Sequence, residues 1–167
     1  MKKLFGYISA LILSASVANA NPIFEEYIDW IVANSDFEYS GEPLPRVERT
    51  SKEMLLIMLY GDTAVAQAEF NGTYLPPVEA IYDNETDTIF LPYETDLDDF
   101  ANHHIIVHEL VHYLQDINGI TDECVGRLET PAYKLHEKWQ DEVNHPAERP
   151  NGLFVIMLEL ACTNPHL

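Results

Sequence analysis

"HHIIVHELVHYLQD" (residues 103–116) is the stretch on which the reading of this chain turns. Ile105, Ile106, Val107, Leu110 and Val111 give it the character of a buried helix, yet four histidines and two acids sit among them. Burying imidazole and carboxylate among aliphatic side chains costs free energy unless something satisfies them. A divalent metal is one answer. His108 and His112 are four apart, so a helix projects both rings from one face, one turn apart. Two imidazoles so placed can reach one tetrahedral zinc ion at about 2.0–2.1 Å each. Glu109 is rotated from His108 by about 100°, away from the ion and toward its open position. There the metal lowers the pKa of a water, and the glutamate takes its proton and passes it to a leaving amine. The plainer alternative is a core helix with two hydrogen-bonded histidines and a solvated glutamate. Apolar flanks and a predicted strand pair just before the helix weigh against that alternative.

The segment before this helix reads as strands at about 78–82 and 88–91, joined by the polar "DNET" and closed by Pro92. Acids in "TDLDDF" favour the helix start, where they meet the positive end of its dipole, and Asn118-Gly119 stops it. Nearer the N-terminus, Asn21 stands as an N-cap before Pro22, with Ile23, Tyr27, Ile28, Ile31 and Val32 at helical spacing. "SGEPLPRVE" breaks that helix and leads into an extended piece around Val47. Thr50 and Glu53 have capping-box spacing, which predicts a second helix ending at about Tyr60 before Gly61. Asn71-Gly72 predicts a turn between Phe70 and Tyr74. Beyond the histidine helix, another covers roughly Asp122–Val143, with Pro131 marking its start or a kink. "LFVIMLELA" (153–161) is too short to span a membrane and too apolar for a surface helix, so it is predicted as core. Trp30 and Trp139 are expected in or near the core. Strands cluster here instead of alternating with helices. The expected class is therefore α+β, a small, mostly antiparallel sheet packed against the histidine helix and further helices.

The first residues address the compartment. "MKK", the apolar "LFGYISALILSASV" and the small-residue "ANA" form the three parts of a secretory signal, with cleavage expected after Ala20. Residues 1–20 are thus read as a signal peptide and 21–167 as a single domain, periplasmic or secreted, with no stable membrane insertion after cleavage. The chain carries −19 overall; without Lys2 and Lys3, seven cations face 28 acids, which makes −21. Phosphate backbones are repelled by such a surface, so nucleic acid is not an expected partner; basic peptides are favoured instead. Cys124 and Cys162 are the two cysteines, and an oxidising space makes their pairing the expectation. The bridge would close a loop of about 38 residues, worth on the order of 3 to 4 kcal/mol.

"VHELVHYLQ" resembles the active-site helix of the zincin metallopeptidases. The order of a signal, "EAIYDNETDTIFLP", the HExxH helix and "CVGRLETPAYKLHEKW" is similar to small bacterial exported members, chiefly over residues 78–140. The resemblance implies a compact zincin-like domain, one zinc ion, peptide or protein substrates, and "TIFLP" (88–92) as the strand along the cleft. A metzincin pattern would need glycine at 115 and histidine at 118, where Gln115 and Asn118 stand. In gluzincin-like members a glutamate on the next helix completes the site. Glu129, in an "ETPAY" that resembles the family's Glu-x-x-Ala-Tyr, is favoured over Glu123, with His136 a further alternative. Where many members carry a histidine-orienting acid four residues later, this chain has Tyr133, and Asp116 is a possible substitute. His104 is read as a solvated or capping residue, with a place along the cleft as the alternative, and Tyr113, His136 and His145 are open as groups that stabilise an oxyanion. A second reading is a zinc-binding structural or partner-binding module without turnover, its ion closed off by His104 or His136.

Overall fold

The computed structural model describes residues 22–147 and 152–163. The expected signal segment and the Asn21 cap lie outside the described residues. Elements follow in the order α1 (Pro22–Ala33), β1 (Arg46–Thr50), α2 (Lys52–Tyr60), α3 (Asp62–Asn71), β2 (Ile81–Asp83), β3 (Thr88–Pro92), a short 3-10 turn (Phe100–Asn102), α4 (His103–Ile117), α5 (Val125–Glu142) and α6 (Gly152–Thr163). The architecture is α+β. Its core gathers Phe24, Ile28 and Ile31 of α1, Ile89 and Leu91 of β3, and Ile106, Leu110 and Leu114 of α4. Trp139 is buried with them, and Trp30 packs against the cluster.

The sheet runs in the order β1-β3-β2, with β1 parallel and β2 antiparallel to β3. It is therefore mixed, and the parallel pairing is the longer one, against the antiparallel expectation. β1 joins beside β3 only after the chain has passed through α2 and α3, as a parallel neighbour requires a crossover. β3 takes the central place because "TIFLP" is apolar on both faces; Thr88, Ile89 and Leu91 are fully buried. This corrects the assignment of 88–92 as the strand along the cleft. Both edges of β3 are already paired, and β2 with the residues leading into it borders the cleft instead.

Local signals mostly did what their chemistry dictates, with instructive shifts. Ser51, not Thr50, caps α2: its Oγ accepts from the Met54 N–H at 3.1 Å, while Thr50 ends β1. Gly61 (φ 84°) then separates α2 from α3, a helix the pattern reading missed. "DTAVAQAEFN" has no apolar stripe, burying just Val65 and Ala68, so its alanines alone favour a helix. The predicted Asn71-Gly72 turn is the end of that helix, with Gly72 in the left-handed conformation. Asp99 caps the 3-10 turn ahead of α4, and Gly119 (φ 66°) ends the other side. α5 begins before Pro131 and runs through it.

α6 overturns the expectation of a core segment. Val155 is buried, but Leu153, Phe154, Ile156, Met157 and Leu160 are exposed, because α6 packs chiefly on α5 among the described elements. The Cys124–Cys162 disulfide holds its end to the start of α5, with a Cα–Cα separation of 5.6 Å. Lys134 and Glu159 form an ion pair across the same contact.

Candidate metal centre

α4 and α5 run past each other antiparallel, so His104 lies by His136, His108 by Tyr133, and His112 by Glu129. The pairing puts three groups around one point. His108 Nε2 and His112 Nε2 are 3.2 Å apart, and the two oxygens of Glu129 stand 3.2 Å from His108 and 3.4 Å from His112. Ligands at about 2.0–2.1 Å from a tetrahedral ion lie roughly 3.3 Å from one another, so the spacing fits a divalent metal. His108, His112 and Glu129 are the group that could hold an ion among the described residues. Glu123 is exposed and outside it, and neither His104 nor His136 belongs to it.

Burial opposes charge on His112, but the hydrogen bond to Glu129 and the Glu109 charge outweigh it and raise its pKa to about 9. Burial would raise Glu129, yet hydrogen bonds from His108 and His112 and their charges hold it far below the carboxylate range. Imidazole and carboxylate are donor types that could hold a divalent cation, giving up a proton to do so.

His112 is aimed by Gln115, a residue that sequence reasoning used just to exclude another class. Gln115 is buried, and its amide nitrogen donates to the Leu128 carbonyl at 2.8 Å. That fixes the flip of the amide, since a carbonyl can only accept. Its oxygen is left for His112 Nδ1 at 2.9 Å, so Nδ1 carries the proton and Nε2 faces the ligand point. Asp116, considered for this role, accepts instead from the Tyr82 hydroxyl at 3.2 Å. The only signal for Gln115 was a buried amide one turn from a histidine.

Glu109 is buried beside the three ligands and is not one of them. Its Oε2 accepts the Tyr82 backbone N–H of β2 at 2.7 Å, which fixes the carboxylate at the floor of the cleft. Burial raises its pKa, the histidine charges opposing. A carboxyl held beside the ligand group in this way is placed to take and give a proton. Tyr133 packs on His108 with ring centroids 4.6 Å apart and lines the same cleft. Burial, then the Glu129 and Glu109 charges, push its pKa up, so the phenol keeps its proton as a donor.

Two suggested oxyanion groups are elsewhere. Tyr113 is buried on the far face of α4, donating to the Pro43 carbonyl at 3.1 Å. His145 packs against Phe100 and Trp139, bonded to the Phe100 carbonyl at 2.8 Å, and does not line the cleft. His136 does line it, buried between His104 and His108. The cleft measures about 810 Å³, the size of a pocket for an organic ligand or a short peptide.

Helices on a small mixed sheet, with two histidines and a glutamate converging in a cleft, define an α+β protein with a candidate metal centre. The chain belongs to the family described as Domain of unknown function (DUF6647), which it matches over residues 16–166. No curated protein and no solved structure matches it. No described helix is long and apolar enough to cross a membrane.

Proposed function

We propose that the protein is an exported zinc-dependent hydrolase, a peptidase of HExxH type. The observation that carries this reading is the mutual spacing of His108, His112 and Glu129, 3.2 to 3.4 Å between donor atoms, with Glu109 beside them but outside the group. Zinc held by His108, His112 and Glu129 would supply a Lewis acid that polarises a scissile carbonyl and acidifies a water. Glu109, steadied by the Tyr82 N–H, takes a proton from the attacking water as its oxygen bonds to the carbonyl carbon. As the C–N bond breaks, Glu109 passes that proton to the departing amine. Tyr133, protonated and beside His108, is the group best disposed to donate to the developing oxyanion. A disulfide and an apolar leader favour action in the periplasm or outside the cell. The non-catalytic alternative needs a fourth protein ligand, and neither His104 nor His136 joins the described group.

The test is metal content by mass spectrometry alongside cleavage of a quenched-peptide library. About one zinc per chain is expected, lost in Glu129→Ala but kept in Glu109→Gln, which loses turnover by at least about a hundredfold. A chain that takes up no zinc after supplementation, or a Glu109→Gln variant as active as wild type, would sink the reading.

A further inference from the structure

The chemistry of the cleft wall narrows what can lie in it, an argument that rests on the peptidase reading. Among the described residues, no lysine or arginine lines the cleft. Each described cation has a partner: Arg46 and Arg49 sit on backbone carbonyls beside the sheet, Lys52 pairs with Glu94, Lys134 with Glu159 and Lys138 with Asn34, while Arg127 pairs with Asp122 at the rim of the cleft. Arg149 lies outside the described residues. Besides Glu109 and Glu129, the lining includes the acids Glu79, Asp116 and Asp122. Away from the ligand group itself, a carboxylate brought here meets like charge and no described lysine or arginine without a partner, in surroundings that screen poorly.

The same wall exposes large apolar side chains on both sides of the ligand group. At the His108 end Phe154 stands against Tyr133 and is 44% exposed. Leu59, 53% exposed, comes from α2, which lies by the start of α4, where Leu56 and Ile105 line one groove. Beyond Gln115, at the other end, Ile120 and Val125 are 45% and 61% exposed. Apolar surface gathered in a concave site favours an apolar occupant.

We infer that the cleft takes an internal stretch of polypeptide with large apolar side chains flanking the reacting bond, and rejects free C-terminal carboxylates. The enzyme is then an endopeptidase and not one that trims C-termini. The acidic exterior tolerates basic residues further out, but the apolar positions select the bond.

The experiment uses three fluorescent peptides on the zinc-loaded chain: an acetylated, amidated one with Phe and Leu about the bond; the same peptide ending in a free carboxylate one residue past it; and one with Ala at both positions. Cleavage is read as kcat/KM, and binding to zinc-loaded Glu109→Gln by fluorescence anisotropy. The amidated apolar peptide is expected to be bound and cut, with the free carboxylate and Ala versions weaker by about tenfold or more. Phe154→Ala, at a half-exposed site where folding is not at stake, should shrink the Phe/Ala ratio several-fold. Equal handling of the free carboxylate, or unchanged ratios in both Phe154→Ala and Leu59→Ala, overturns the inference and leaves the peptidase reading intact. Full zinc occupancy with no peptide bound or cut overturns both.

Discussion

Gln115 does for His112 what a carboxylate does in many metal sites, with a neutral group. Its oxygen holds the Nδ1 proton, and its nitrogen ties α4 to the Leu128 carbonyl. A neutral amide adds no charge to a cleft already crowded with acids, which leaves Glu109 and Glu129 to set the local field. Gln115→Leu should lower zinc affinity by about 10- to 100-fold, measured against a competing chelator. Gln115→Glu keeps an acceptor for Nδ1 and should retain most of that affinity. Equal loss in both variants would make Gln115 a packing residue alone.

α6 is the element whose place was least expected, and its hold on α5 is narrow. At Gly126 of α5 a Cβ would collide with the Leu158 carbonyl oxygen and approach Cys162 Sγ at 2.9 Å. Glycine is required there by the closeness of two backbones, since its own conformation is ordinary. Gly126→Ala should therefore lower the unfolding free energy by about 1–3 kcal/mol, read from urea melts. A neutral result would show that α6 can shift away from α5 at no cost. Because Phe154 and Leu158 line the cleft, such a shift would also reshape the site.

The whole molecule couples this site to its stability through protons. His112, raised from 6.5 to about 9, stabilises the metal-free fold fully below pH 6.5 and loses that contribution as pH rises through about 9. Glu129 has the opposite sign: its depressed pKa stabilises above the ordinary 4.5 and is lost as pH falls further. Metal-free protein should be most stable between these limits, with Tm falling from about pH 6.5 to about 9. Scanning calorimetry should show Glu129→Gln flattening that fall, and zinc raising Tm across it. A Tm that rises over this interval in the wild-type chain would count against the pairing of His112 with Glu129.

His108, Glu109 and His112 were legible because one helix carries them, and the 3.6-residue period converts spacing directly into geometry. The α+β class, the Cys124–Cys162 bridge and most helix ends were legible too, since caps, prolines and glycines act over a few residues. Glu129 was reachable only through a resemblance, because which acid meets the histidines depends on how α5 docks on α4. α3 stayed hidden for want of an apolar stripe, and α6 was misplaced because its apolar composition does not say whether anything covers it. The same limit hid the central position of β3 and the grip of Gln115 on His112. Local spacing determines what one element can present; which partner receives it is set by packing between segments far apart in the chain, where burial and hydrogen bonding are decided.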